Sequence, residues 1–250
     1  MQSPLLLVCF LVDVHNLRSL ASNANILEVT RRFIALTLGD MRLILVRHGQ
    51  TALNEKNVFR GRLDIPLNET GIQQANAIAE RLCTFNINII YTSPLKRALE
   101  TAQVIGTKLN INTEIDNNLI DFDFGKWQGL TIGEVEKRFP KLYEQWLKGP
   151  HMVKIPDGEN LDLVRIRVSK VLNKILRDDG SDMVIVSHRV ILKVLICAAL
   201  SLDNSYFWQV KQNVGAISIL DYKKGEFSLS LLNDTCHLGN DEQNKEIKDF

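Results

Sequence analysis

The stretch that decides the fold is LILVRHGQT, residues 43–51. Its first four residues are apolar and indicate a buried strand, and the glycine, the threonine and the nearby Asn54 indicate a tight loop at the carboxyl end. Open α/β sheets place ligands at that end of their strands. His48 supplies an imidazole nucleophile, and Arg47 supplies a fixed charge whose fork suits phosphate. The stretch indicates phosphoryl chemistry through a phosphohistidine, and the alternative is a histidine and an arginine that only solvate a loop.

A second segment of similar character begins at Ser93, directly after an apolar run. The order of Ser93 and Pro94 predicts a helix with Ser93 as its N-cap and Pro94 as its first residue. Arg97 then falls in the opening turn, where helix N-terminus and guanidinium together favour an anion. A capped surface helix with its basic residues in water is the alternative.

A third segment repeats the pattern of the first, because residues 183–187 read as a buried strand and His188 follows it. Between the histidines in sequence, Asp121 and Asp123 lie in a loop-like stretch with aromatic neighbours. Either carboxyl group is a candidate general acid.

The periodicity of the chain predicts one α/β domain, a three-layer α/β/α sandwich around a mostly parallel sheet. Strands are predicted near 42–46, 88–92 and 183–187. Helices are predicted near 70–84, 94–109 and 159–178. Residues 131–155 are predicted to form a helical insertion over the pocket, and residues 216–220 and 227–232 a terminal hairpin.

The order and spacing of these motifs, from residue 41 to about 237, resemble the histidine phosphatase superfamily in its phosphoglycerate mutase-like branch. The motifs that carry the resemblance lie at 47–54, 60–67, 70–75, 93–102 and 186–188. Within that superfamily, Phe207, Trp208 and the ending at 233–238 are similar to metal-independent phosphoserine phosphatases, with α-ribazole phosphatases next.

The resemblance implies that the chain hydrolyses a small phosphorylated metabolite through a phosphohistidine on His48. It places Asp121 where the family has the acid that protonates the leaving group and then activates water. Neither a metal nor a cofactor is implied. Cations around His48 should lower the pKa of the imidazole and keep it neutral. The phosphoryl group would be held by Arg47, Asn54, Gly61, Arg97 and His188.

Four other positions bear on the substrate. Arg60 stands where the family often has glutamine, and Arg189 stands where a glycine is common after the histidine. Phe124 replaces a histidine that phosphoserine-specific relatives tend to carry, which weakens the phosphoserine assignment. His237 is still available to meet a substrate carboxylate, and we expect Arg60 and His237 to contact the substrate.

The acid is the main departure from the family pattern, since the usual residue is glutamate and Asp121 is shorter by one bond. Misplacement by about 1 Å can cost on the order of a hundredfold in rate. Asp123 remains a second candidate, and a non-catalytic phosphate-binding or regulatory module remains an alternative. Transfer of the mutase type is disfavoured because residues 125–131 lack a longer basic and aromatic segment. A magnesium-dependent aspartyl-phosphate phosphatase is disfavoured because no continuous apolar strand precedes the aspartates.

Composition fits a cytoplasmic enzyme with small-molecule partners. The 250 residues are 45% hydrophobic and carry a formal net charge of +1, which gives no footing for nucleic acid or a membrane. The four cysteines are widely spread, so neither a disulfide framework nor a zinc site is expected. The sequence is compatible with a homodimer but shows no pattern that marks an interface.

The predicted catalytic domain spans 41–238, with an N-terminal extension at 1–40 and a polar tail at 239–250. Residues 4–12 are apolar enough to resemble a signal-peptide core, but no basic residue precedes them and they are too short to span a bilayer. A translation start assigned too far upstream is the favoured interpretation.

Overall fold

The computed structural model describes residues 40–54, 56–176 and 181–239. The predicted N-terminal extension and polar tail lie outside these residues, apart from Asp40 and Gly239 at their inner edges.

One sheet of six strands organises the described residues. Its order is β3-β2-β4-β1-β5-β6, in which β1 to β4 run parallel, β5 pairs antiparallel with β1, and β6 pairs antiparallel with β5. The strands are β1 Met41–Arg47, β2 Ile87–Thr92, β3 Thr113–Ile115, β4 Asp182–Ser187, β5 Ile217–Lys223 and β6 Glu226–Asp234.

Helices cover both faces of this sheet. In β1, Ile44 and Val46 pack with the first two helices, whereas Leu43 and Leu45 pack with the last two. The alternation follows from the strand period of two residues. The predicted three-layer α/β/α sandwich with a mostly parallel sheet is confirmed. The helices are α1 Glu69–Leu82, α2 Lys96–Leu109, α3 Ile132–Arg138, α4 Pro140–Lys148, α5 Leu161–Ile175 and α6 Arg189–Ala199.

The predicted start of α2 is wrong by two residues. The N-cap is Leu95, which has no capping side chain, and the helix begins at Lys96. Ser93 still belongs to the sheet edge, because its amide donates to the carbonyl of Val186 at 3.1 Å. Its hydroxyl accepts from the amide of Leu95 at 3.3 Å and also lies 2.7 Å from Nε2 of His188.

The segment 131–155 is helical, as predicted. Thr131 and Glu134 form a capping box at the start of α3, and α4 follows almost at once. Tyr143 and Trp146 of α4 are buried in the aromatic part of the core. The segment therefore packs into the body of the domain.

The predicted terminal hairpin is also present and longer than expected. Lys224 and Gly225 form its two-residue turn, and both have positive φ, 51° and 89°. Such a turn matches the twist of the strands it joins. No helix among the described residues is both long and apolar enough to cross a membrane.

The N-terminus of α1 presses against the loop that follows β1. A Cβ on Gly71 would lie 2.1 Å from the carbonyl oxygen of Gln50, and one on Gly49 would lie 2.5 Å from the carbonyl oxygen of Gly71. Both obstacles are backbone atoms. Only glycine therefore allows the helix to approach the residues next to His48.

We expect Gly71→Ala to lower the free energy of unfolding by about 2 kcal/mol, because the added methyl group must push backbone apart. Denaturant unfolding measures this loss. Gly133→Ala is the matched control: it lies in α3 with open space around the position of its Cβ. That control should be neutral or slightly stabilising. Equal effects of the two changes would contradict the close approach.

Candidate active site

Two histidines meet because the strands before them are parallel neighbours in register. Arg47 at the end of β1 pairs with Ser187 at the end of β4. The amide of His48 donates to the carbonyl of Ser187 at 3.1 Å, which continues the ladder by one residue. The rings of His48 and His188 are consequently 5.1 Å apart between centroids.

The ring of His48 is held in one tautomer. Its Nδ1 lies 2.7 Å from the carbonyl oxygen of Gly49, which can only accept, so Nδ1 carries the hydrogen. Nε2 then holds the lone pair and accepts from Nε of Arg97 at 3.2 Å. Burial lowers the pKa of His48 well below 6.5, with further lowering from the charges of Arg97 and Arg47. The site thus presents a neutral imidazole with its lone pair on Nε2.

Arg97 connects this nucleophile to the rest of the site and is fully buried. Nη1 donates to the carbonyl of Leu63 at 2.7 Å, and Nη2 donates to the carbonyl of Gly61 at 2.8 Å. Nη2 also donates to Oδ2 of Asp121 at 2.8 Å. Burial lowers the pKa of Arg97, which the Asp121 carboxylate opposes. One guanidinium therefore ties the loop at 61–63 and a carboxylate to His48.

The structure brings Asp121, and not Asp123, into this arrangement. Asp121 lines the same cavity as His48, and its Oδ2 lies 3.6 Å from Nδ1 of His188. Asp123 accepts from the amide of Gly125 and forms an ion pair with Arg62 at 3.2 Å. It is absent from the cavity lining. The Asp121 carboxylate is therefore the one of the two that lies beside His48.

The loop that carries Asp121 is anchored through its backbone. The carbonyl of Asp121 accepts from Nη2 of Arg167 at 3.3 Å and from Nε of Arg62 at 3.4 Å. Arg167 is paired with Glu159 at 3.1 Å, and Glu159 accepts from the amide of Asp123 at 3.0 Å. These bonds fix the loop from α5 and from the turn before it.

Ser93 is a site residue that the sequence analysis missed. Its hydroxyl lies 2.7 Å from Nε2 of His188, and both side chains are buried. Burial lowers the pKa of His188 well below 6.5, and the charge of Arg97 adds to this. The only sign of this role in the sequence is that Ser93 directly follows a predicted strand, as His48 and His188 do.

The cavity beside His48 has about 330 Å³ of atom-free space, part of it open to solvent. No residue of 131–155 lines it, so the prediction that this segment covers the pocket is wrong. Behind the wall, Phe59 and Phe124 contact Tyr143 and Trp146. The lining residues are Arg47, His48, Val58, Phe59, Arg60, Gly61, Asp121, Phe124, Arg189 and Val190.

Four predicted binding residues lie outside that lining: Arg97 and His188, which contact His48 and Asp121, and Asn54 and His237. Oδ1 of Asn54 accepts from the amide and the hydroxyl of Thr51, while its buried Nδ2 has no hydrogen-bond partner. Nε2 of His237 lies 3.0 Å from the carbonyl oxygen of Gly215, and the amide of Gly215 donates to the carbonyl of His48. The backbone of Gly215 thus links His237 to His48. Burial lowers the pKa of His237.

Metal ligation was not expected from the sequence. Within 40–239, leaving aside 55 and 177–180, no group of three or more His, Cys, Asp and Glu side chains is placed to hold a metal ion.

Residues 43–235 match the family model described as histidine phosphatase superfamily (branch 1). The chain belongs to the histidine phosphatase superfamily. It is an enzyme of the phosphatase type, as its named relatives also indicate.

Among these relatives, Phosphoserine phosphatase 1 of Hydrogenobacter thermophilus is 34% identical over 200 residues, which cover 80% of this chain and 95% of the relative. The solved structure of Bacillus stearothermophilus YhfR is similar with a TM-score of 0.75 and 29% identity, covering 80% of this chain and all of that one. The mycobacterial glucosyl-3-phosphoglycerate phosphatase Rv2419c has a TM-score of 0.73 and 25% identity, covering 79% of this chain and all of its own.

Because His48 resists protonation only when folded, the stability of the enzyme should fall as the pH is lowered. The unfolded chain takes up this proton at about pH 6.5, whereas the buried imidazole titrates well below that. Between about pH 7 and pH 5.5, His48 alone should cost about 1 kcal/mol of unfolding free energy. We expect His48→Asn to flatten the fall by that amount in denaturant unfolding. His151→Asn, outside the cavity, is the control, and equal slopes in wild type and His48→Asn would contradict the shift.

Proposed function

We propose that the protein is a metal-independent phosphomonoesterase that hydrolyses a small phosphorylated metabolite through a phosphohistidine on His48. The observation that carries this proposal is the lone pair on Nε2 of a neutral, buried imidazole, with the Asp121 carboxyl in the same cavity. Arg97 touches both groups. A cytoplasmic location and a small-molecule partner remain predictions.

In the first step, Nε2 of His48 forms a bond to phosphorus as the bond from phosphorus to the ester oxygen breaks. The substrate enters as its monoanion and gives its proton to Asp121, and the carboxyl group so formed passes that proton to the leaving oxygen. Arg97 must give up its bonds to Nε2 and Oδ2 for this, and the phosphoryl oxygens replace them as its acceptors. Arg47 lines the same cavity and adds a second cation. Because charge spreads over the transferred group, such cations supply much of the catalysis.

In the second step, water attacks the phosphorus of the phosphohistidine. The Asp121 carboxylate takes a proton from this water and passes it to the phosphate, the bond from phosphorus to Nε2 breaks, and inorganic phosphate leaves. His48 returns to its neutral form with the hydrogen still on Nδ1, held by the carbonyl of Gly49. Acid and base are the same group, used in opposite directions.

A phosphoserine-like substrate is favoured. Support comes from Phosphoserine phosphatase 1 of Hydrogenobacter thermophilus and from a second relative of that organism named Putative phosphoserine phosphatase 2, which is 29% identical over 196 residues. An α-ribazole phosphatase of Shigella flexneri, with a TM-score of 0.72 and 25% identity, supports that activity as the alternative. Transfer of the mutase type is the other alternative, supported by a relative named Phosphoglycerate mutase-like protein 4 of Arabidopsis thaliana.

The phosphoenzyme can be trapped. Brief incubation with a labelled phosphomonoester in EDTA, followed by quenching in alkali, should leave label on the protein, since phosphohistidine survives base and is lost in acid. We expect His48→Ala to abolish both the label and phosphate release. His151→Ala should retain both. Label that persists in His48→Ala, or turnover that EDTA stops, would contradict the mechanism.

The role of Asp121 can be tested by how strongly the effect of its substitution depends on the leaving group of the substrate. Asp121→Asn should lower kcat by about 10² to 10⁴ for an alkyl phosphomonoester such as phosphoserine, because an alkoxide needs a proton to leave. For p-nitrophenyl phosphate, the rate of the first step should fall far less, because the nitrophenolate anion is stable without a proton. The burst of nitrophenolate release measures the rate of that step. Asp123→Asn is the matched control and should stay within about fivefold of wild type. A larger effect at Asp123 would reverse the assignment.

A further inference from the structure

A hydroxyl group and a carboxylate lie on opposite sides of the imidazole of His188. Nε2 of the ring lies 2.7 Å from Oγ of Ser93, and Nδ1 lies 3.6 Å from Oδ2 of Asp121. All three side chains are buried. Asp121 is the acid of the proposed mechanism, whereas neither Ser93 nor His188 has a step of its own in it.

The hydroxyl hydrogen of Ser93 decides which nitrogen of His188 carries a hydrogen. Oγ of Ser93 already accepts from the amide of Leu95 at 3.3 Å. Within the described part of the chain, Nε2 of His188 is the one acceptor within hydrogen-bonding distance of that hydroxyl. The hydroxyl therefore donates to Nε2, since its buried hydrogen would otherwise be unpaired. Burial lowers the pKa of His188 well below 6.5, so the ring is neutral and its single hydrogen is on Nδ1.

This hydrogen on Nδ1 has a waiting acceptor in Asp121. Nδ1 is buried, and none of the described residues forms a hydrogen bond with it. Oδ2 of Asp121, at 3.6 Å, is just too distant for one and is held by Arg97 at 2.8 Å. Catalytic hydrogen bonds are often long in the free enzyme and shorten when the substrate binds. An unused donor thus lies beside an acid whose present donor must leave during the reaction.

We propose that Ser93 is a positioning residue for the acid: it keeps the hydrogen of His188 on Nδ1, and this hydrogen holds Asp121 once Arg97 turns to the phosphoryl group. This inference rests on the proposed function and adds a residue to it. The serine acts on Asp121 only through the imidazole between them.

The other tautomer of His188 would work against the reaction. With the hydrogen on Nε2, a lone pair on Nδ1 would face Asp121. That lone pair would repel the carboxylate, and it would accept the proton that the carboxyl group must pass to the leaving oxygen. The nucleophile would be unaffected, because the carbonyl of Gly49 fixes the tautomer of His48 separately.

The tautomer can be measured directly by NMR of the full chain labelled with ¹⁵N in its histidine rings. The hydrogen-bearing nitrogen and the lone-pair nitrogen of a neutral imidazole give well-separated resonances, and His188→Asn identifies those of His188. We expect the hydrogen on Nδ1 in wild type and at least partly on Nε2 in Ser93→Ala. Wild-type protein with the hydrogen on Nε2 would overturn the inference without any Ser93 variant or substrate. A hydrogen that stays on Nδ1 in Ser93→Ala would also overturn it.

Ser187→Ala is the matched control for the tautomer. It too removes a buried hydroxyl, one that donates to the carbonyl of Leu119 at 2.8 Å and does not touch the imidazole. We expect it to leave the hydrogen of His188 on Nδ1. A shift in both variants would mean that the tautomer responds to any loss of packing, and it would overturn the role of Ser93.

Kinetics then connect the tautomer to the acid. For an alkyl phosphomonoester that wild type hydrolyses, Ser93→Ala should lower kcat about tenfold to a hundredfold, the range of one hydrogen bond to a charged group. The first step with p-nitrophenyl phosphate should change by less than about threefold, because its leaving anion needs no proton. Ser93→Thr keeps the hydroxyl and should retain most of the alkyl-ester rate. Equal losses for the two substrates in Ser93→Ala, or loss of the rate in a Ser93→Thr protein with the hydrogen still on Nδ1, would overturn the link to Asp121.

A double-mutant cycle tests whether Ser93 acts through the acid. In Asp121→Asn protein, the further change Ser93→Ala should cost less than about threefold, because no acid is left to position. A further loss as large as in wild type, with His48→Ala inactive, would overturn this inference and leave the phosphatase mechanism intact. An absence of turnover by wild type on every phosphomonoester would overturn the proposed function, and the link to the acid with it.

Discussion

The guanidinium of Arg97 has no exposed surface and binds two backbone carbonyls, a carboxylate and an imidazole nitrogen. A buried charge with this many partners is stable only while all of them are in place. The loop at 61–63, the acid and the nucleophile are consequently held around one point. Arg97 also donates to the lone pair of His48 and to the carboxylate of Asp121. A phosphoryl group, with its several acceptor oxygens, is the kind of ligand that can take over both bonds together.

Burial and positive charge cooperate at this site. Nearby cations attract the phosphate, and together with burial they lower the pKa of His48, which keeps its Nε2 unprotonated among them. An exposed imidazole at about pH 6.5 would be partly charged and therefore partly inactive. The carbonyl of Gly49 completes the effect by fixing the hydrogen on Nδ1. Under the proposed mechanism, the charges that attract the phosphate thus also keep His48 available as the nucleophile.

The sequence predicted the parts of the site that depend on strand ends. His48 and His188 each follow a buried apolar run, and parallel register then brings them together without further information. The role of Ser93 and the position of 131–155 were missed, because they depend on contacts between distant segments. The helix α6 was not predicted, since a helix buried all round shows no periodicity. The edge strand β3, three residues long, gave no pattern at all.

Under the proposed mechanism, the aromatic core is what positions a short acid. Asp121 has one bond fewer than glutamate with which to reach the substrate, so the rate is more sensitive to where its backbone lies. Phe122 packs on Trp146 with ring centroids 5.8 Å apart, and Phe124 packs on it at 5.9 Å. Both neighbours follow Asp121 in the same loop, and Arg167 holds its carbonyl from the other side. Because α4 supplies Trp146, the segment 131–155 packs on the loop of Asp121 from behind the cavity wall, and under the proposed mechanism it would help to hold the acid in place.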